Sequence, residues 1–427
     1  MKTAHWSNRS NRNGERGAIM ILAGVTLVVL VAFMGLALDA SFMYFHKRAM
    51  QTAADAGAYA GALEKLRGAT DVTPASKKDT ALNGFADGSD NVTVDVNSPP
   101  LSGSKTGDTN FVEVVITHPT PTWFMRMLDF NSVTVKARAV AGVGGTSDAC
   151  VFALNRDAGN ANNGFFVNGT TNSTFACGVY SNSNFRATGG ACVVAPSVNY
   201  TGQYTNQNGG ADCGPGGIEQ GVPIVDPLLN KFAIPAYSSC SSTQNGFKVT
   251  GGTTVTIPPG TYCGGITISG SVQNVVFSPG QYILVGGGLS VNGAVNISGS
   301  DVTFFNTYPG TQTGKYSGIG ITGFGAVTLS APTAGTYKGL LMYQDPSVPW
   351  SSSTGSILAG TNSVYDGILY FPTTDLQYSG SSSTNVNGTD GYTVLIGYNI
   401  KVNGSAKVNT DFTTLGGNPL QNALFAE

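Results

Sequence analysis

Gly260-Thr-Tyr262 leads into Gly264-Gly-Ile266-Thr-Ile268-Ser-Gly270, and Gly280-Gln-Tyr282 leads into Gly287-Gly-Leu289-Ser-Val291-Asn-Gly293. Each unit is a short stretch of alternating apolar and polar residues closed by a glycine turn. The alternation places Ile266, Ile268, Leu289 and Val291 on one face and Thr or Ser on the other. Related units recur at Tyr316-Ser-Gly318, Tyr337-Lys-Gly339, Tyr365-Asp-Gly367 and from Tyr392 to Gly404. Their tyrosines lie mostly 20 to 28 residues apart, with one gap of 34. A strand and a turn repeated at this period predict a parallel β-helix, in which each coil pairs with its neighbours and the apolar residues stack inside. A β-sandwich is the alternative, because irregular spacing and frequent turns suit it as well.

Composition supports a mainly β exported body. From Asp148 to the end only 20 of 280 residues are charged, and none lies between Lys248 and Asp301. Over the whole chain 11% of residues are charged, against about 25% in a typical soluble protein. The net charge of −2 provides no basic face for nucleic acid. All six cysteines, Cys150, Cys177, Cys192, Cys213, Cys240 and Cys263, fall in this body without a C-x-x-C pair, and all three histidines precede them. The pattern argues for disulfides in an oxidising compartment rather than a metal centre. Six cysteines allow 15 pairings, and spacing does not choose among them.

Toward the N-terminus, Ala18 to Leu38 contains no charged side chain. These 21 residues span about 31 Å as a helix, the thickness of a bilayer's hydrocarbon core. Lys2, Arg9, Arg12 and Arg16 precede it against Glu15 alone, so the positive-inside rule leaves the N-terminus in the cytoplasm and exports the rest. A cleaved signal peptide ending near Gly35-Leu36-Ala37 is the competing reading. No proline interrupts Ala18 to Arg67, which predicts one continuous helix of about 75 Å. Along its exported part Ala49, Ala53, Gly57 and Gly61 form a small-residue stripe, fit for close contact with another helix or with the protein's own domain. The expected organisation is a basic tail (1–17), a transmembrane helix (18–38), its exported extension (39–67), a small α/β domain (68–147) and the β-helix-like domain (148–427). Within the small domain a helix is expected around Ala75 to Phe85. Strands are expected at Val92–Val96, Val112–Thr117 and Val133–Val140, with Gly142–Ser147 as a linker.

Several stretches resemble the N-terminal module of TadG-like proteins of the tight-adherence (Tad/Flp) pilus-assembly systems. They are Arg16-Gly17-Ala18, the apolar run, Leu38-Asp39, Arg48, Gln51 to Ala62, Val112 to Thr117, Pro121-Thr-Trp-Phe-Met-Arg126 and Ser132 to Gly142. The likeness covers about the first third of the chain; Val222-Pro-Ile-Val-Asp-Pro-Leu228 extends it more weakly. It implies an inner-membrane protein of pilus assembly or surface attachment, with the lipid bilayer and other pilus-assembly or pseudopilin-like proteins as partners and no enzymatic role. Two departures matter. Leu22 stands where pilins carry a glutamate five residues after the processed glycine. Asp39-Ala-Ser41-Phe-Met43 breaks the D-x-S-x-S metal pattern that some TadG-like proteins carry.

No cofactor, metal or catalytic residue is expected. Gly318-Ile-Gly320-Ile-Thr-Gly323 spells a dinucleotide fingerprint, but a strand-like segment follows it where a helix is required. No histidine follows His118 to serve a triad in the body. Asn409-Thr-Asp411 resembles one polygalacturonase element without its companions, and Asp226, Asp301 and Asp366 suit turns. His46, Lys47 and Arg48 suit headgroups or water, while Tyr343, Trp350, Tyr370 and Phe371 suit the core or a glycan-binding face.

Overall fold

The computed structural model describes residues 12–146, 149–169, 172–190, 192–207, 217–221, 223–237, 245–308, 316–323, 325–351, 353, 355–359, 363–379, 391–404 and 406–426. The chain divides into two compact units, Met1–Gly145 with Ala423–Glu427, and Thr146–Asn422.

The first unit is built on one long helix, α1 (Arg12–Leu66). It stops where Gly68 adopts a left-handed φ of 82° and the Ala69 N–H reaches back to the Glu64 carbonyl at 3.0 Å. Helix α2 (Thr73–Leu82) follows, with a proline in its first turn. Strands β1 (Thr93–Asn97), β2 (Phe111–Pro121) and β3 (Ser132–Thr146) make an antiparallel sheet, and a C-terminal strand, Gln421–Phe425, joins beyond β3. Val112, Val114 and Ile116 alternate along β2 on the buried face. There they share a core with Met50, Ala54, Ala58 and Ala62 of α1. The glycine-rich stretch after Ala141 is strand, not linker, and β3 runs through Thr146. Gly142 stands opposite Phe111, and a Cβ there would lie 2.3 Å from the Phe111 ring. This glycine serves close packing rather than flexibility.

The second unit is a parallel β-helix. Every pairing between its named strands among the described residues is parallel, which rules out a sandwich of antiparallel sheets. Ile266 pairs with Leu289 and Leu289 with Ile319, while Ile268 pairs with Val291 and Val291 with Ile321; all six side chains are buried. A second wall carries the ladder Tyr282–Phe304–Met342–Leu369–Leu395–Val151–Val179 on its inner side. Beside it on the outer side runs Phe305–Tyr343–Tyr370–Ile396–Phe152–Tyr180.

These ladders show that coil order is not chain order. The unit begins at Ala149–Ala153 in the middle of the solenoid and winds outward through Gly178–Ser181 and Val198–Tyr200 to Ile218–Gln220. It resumes at the opposite end with Asn245–Val249, then winds back until Thr393–Gly397 pairs with Ala149–Ala153. Between these two ends in the chain, residues 224–232 lie as a strap over the outer aromatic ladder. Ile224 exchanges hydrogen bonds with the Asn182 side chain. Tyr370 donates to Asp226 at 2.7 Å, and Tyr343 donates to the Phe232 carbonyl at 2.9 Å. Burial raises the Asp226 carboxyl pKa, against the hydrogen bonds from Tyr370 and the Leu228 N–H that lower it.

Candidate functional site

The strongest functional feature of the first unit is the run of α1 before its domain contacts. Residues Ile19 to Leu66 lie on a helix long and apolar enough to cross a membrane, and the large apolar side chains from Ile19 through Leu38 are exposed. Such a helix fits a single-pass membrane anchor.

Beyond the anchor α1 turns its small residues inward. Ala49 is half-buried and Ala53 fully buried. A Cβ on Gly57 would lie 2.6 Å from Thr80 Cγ2, and one on Gly61 would lie 2.5 Å from Ser76 Oγ and 2.9 Å from Val112 Cγ1. The stripe therefore receives α2 and β2 of the same unit. His46, at the half-buried edge of this contact, lies 2.6 Å from His118 Nδ1 through its Nε2. Burial, and then the charge of His118, lower the His46 pKa.

Two carboxylates organise the unit, and the sequence indicates an internal partner for neither. Glu113 on β2 accepts hydrogen bonds from Arg138 Nε (2.6 Å), Ser102 Oγ (2.7 Å), Asn97 Nδ2 (2.9 Å) and the Leu101 N–H (3.1 Å). Asp39 on α1 is buried and accepts the backbone N–H groups of Trp123 (3.0 Å), Phe124 (2.9 Å) and Met125 (2.7 Å). These three donors open a short 3-10 turn, Met125–Leu128, at the tip of the β2–β3 hairpin. Phe124 lies against Gly35, where a Cβ would be 2.6 Å from its ring.

In the second unit Cys150 and Cys177 form a disulfide between adjacent coils. Cys192 and Cys263 are also disulfide-bonded, while Cys213 and Cys240 lie outside the described residues. Gly318 to Gly323 surrounds the strand Ile319–Ile321 within the solenoid wall, so its glycines open no phosphate-binding helix. Asp411 accepts the Thr413 N–H, Asp366 accepts the Tyr392 N–H, and Asp301 sits in a turn with a φ of 56°. Tyr343, Tyr370 and Phe371 are buried; Trp350 is half-exposed.

Trp350 stands beside a groove of about 470 Å³ lined by Asn162, Phe166, Asp375, Gln377, Asn399 and Lys401, among others. Its Nε1 donates to Asp375 Oδ1 at 3.0 Å, and Asn399 Nδ2 donates to the same oxygen at 2.7 Å. Arg186 and Lys401 lie over the Phe166 ring. Asp375 is the groove's single carboxylate among the described residues, so the groove presents no acid–base pair there.

The TadE/G-like Flp pilus-assembly family model matches residues 17–64, and the Tad-like Flp pilus-assembly model matches residues 46–141. The N-terminal region belongs to this family. The first match covers the apolar run of α1, Asp39 and the small-residue stripe, and the second covers the stripe again together with Glu113 and the hairpin tip. The β-helix lies outside both matches. No curated protein and no solved structure matches the chain.

Proposed function

We propose that this chain is a structural, non-enzymatic component of Flp-type pilus assembly or surface adhesion. In this reading α1 holds it in the cytoplasmic membrane with its N-terminus inside. Both units lie on the exported side, where other pilus-assembly or pseudopilin-like proteins are its partners. The observation that carries the reading is the family match over residues 17–141, which coincides with the anchor and the unit built on it. The disulfides support export, because they persist in oxidising compartments. Deleting the gene is expected to reduce piliation and attachment to surfaces, with recovery on return of the full chain. Unchanged pili, seen by electron microscopy, would overturn the proposal.

The groove beside Trp350 favours a second reading for the β-helix, as a binder of envelope glycan. The half-exposed Trp350 ring, flanked by amides and a lysine, suits the C–H faces and hydroxyls of sugars. Under this reading Trp350→Ala weakens binding on a glycan array about tenfold. The absence of glycan binding by the full chain would remove the second reading and leave the first intact.

A further inference from the structure

The hairpin tip presents Trp123, Met127, Leu128 and Phe130 with 66%, 84%, 64% and 58% of their surfaces exposed. Exposed apolar side chains this large and this close in sequence mark a contact surface rather than ordinary scatter. What covers them is indicated by their attachment. Phe124 of the same tip packs on Gly35, which lies inside the apolar run of α1, and Asp39 fixes the tip's backbone one turn further along. The tip is therefore held at the depth of the last turn of the membrane-crossing segment.

Asp39 does not mark the water boundary, as its charge alone would imply, because its carboxylate is turned inward onto the tip. Exposed apolar side chains continue past it through Phe42, Tyr44 and Phe45, and the first exposed charge is Lys47. From Ile19 to Phe45 the helix rises about 40 Å, which matches the hydrocarbon core together with its interfacial layers rather than the core alone. The tip falls in the added length.

We infer that the β2–β3 tip is a membrane-interface wedge, seated in the outer leaflet beside the anchor. This rests on the anchor reading above and adds a second contact with lipid. The wedge needs Asp39 for a physical reason. Three backbone N–H groups at the start of the turn would each be costly without a partner in an apolar layer, and Asp39 supplies acceptors for all three. Exposed Arg126 suits the phosphate layer, and Trp123 suits the same depth. A helix with one contact in the membrane is free to rotate about its axis; a helix with a wedge at its side is fixed in azimuth and height.

The test uses the full chain reconstituted in phosphatidylcholine–phosphatidylglycerol vesicles, with phosphatidylcholine brominated on its acyl chains as quencher. Trp6→Phe and Trp350→Phe leave Trp123 as the sole tryptophan. A second protein, free of native tryptophan and carrying Met127→Trp, reports the outermost position. A third, with Leu30→Trp on the tryptophan-free background, reports the anchor. The expected result is loss of most fluorescence in all three, with little quenching by iodide. Quenching at position 30 alone, with the tip reporters open to iodide, would overturn the wedge and leave the anchor standing. Tip reporters shielded from both quenchers would overturn it in favour of protein contact. Failure at position 30 would remove the anchor reading itself, and the wedge with it.

Discussion

Glu113→Ala is expected to destabilise the first unit by about 3 kcal/mol, which is much of the stability of a domain this small. The side chain is 2% exposed and accepts four hydrogen bonds, one from the Arg138 guanidinium, which keeps 29% of its own surface in water. Removing the carboxylate takes the shared acceptor from Asn97, Ser102 and the Leu101 N–H and the counter-charge from Arg138, whose Nη2 keeps the Ser102 carbonyl. Glu113→Gln retains an acceptor and is expected to cost about half as much. The same cluster sets an acid limit. Burial alone would raise the Glu113 pKa, but the donors from Ser102, Arg138, Leu101 and Asn97 outweigh it and bring the value from 4.5 to about 2. Since the folded value lies below the unfolded one, the stabilisation is complete above pH 4.5 and is lost as pH falls toward about 2. That difference corresponds to roughly 3 kcal/mol. Hydrogen exchange of Val112 to Thr117 across this pH range measures both effects. A Glu113→Ala protein with unchanged exchange, or a wild type whose exchange shows no acid dependence in that window, would refute the account.

The sequence shows some of this organisation and hides the rest for definite reasons. The alternation in Ile266-Thr-Ile268 and Leu289-Ser-Val291 is a local property of pleated strands, so the residues themselves disclose the coils and their inward face. Coil order is not local. Val151 stacks on Leu395 because the two inner ladders match, and nothing at either position announces a partner across most of the unit. The strap is hidden for the same reason. Residues 223–232 have no period, and only their partners far along the chain, the Asn182 side chain and the hydroxyls of Tyr343 and Tyr370, show what the strap is for. The small-residue stripe is legible as a contact face, but its spacing serves a foreign helix and the protein's own α2 equally well; the fit of Gly57 to Thr80 identifies the neighbour. Asp39 is the sharpest case. An acidic residue after an apolar run reads as the edge of the membrane, and only its three backbone donors show that the charge is turned away from water.

The second large effect is expected at Phe304 in the β-helix. Its ring is fully buried, lies 5.1 Å from Tyr282 in a stacked arrangement and meets Phe277 edge-on at 5.0 Å. Truncation to alanine removes the ring and leaves a cavity between coils that are tied by backbone ladders on both sides and have little room to collapse. A cost of about 3–5 kcal/mol follows. Its distribution distinguishes a solenoid from a globular core. Each coil touches only its neighbours, so the loss is expected to appear as faster hydrogen exchange in Gly280–Val285, Val302–Thr307 and Leu340–Gln344. Gly164–Asn168 and Asn184–Thr188, which pair with each other several coils away, are expected to keep their protection. Phe305 gives the contrast. It alternates to the outer side of the same strand, where it packs against Tyr337 and Tyr343, and Phe232 of the strap packs on Tyr337. Phe305→Ala is therefore expected to loosen the strap around Phe232 more than the coil interior. Uniform loss of protection across all coils on Phe304→Ala would show that the unit unfolds as one globular core, contrary to nearest-neighbour stacking.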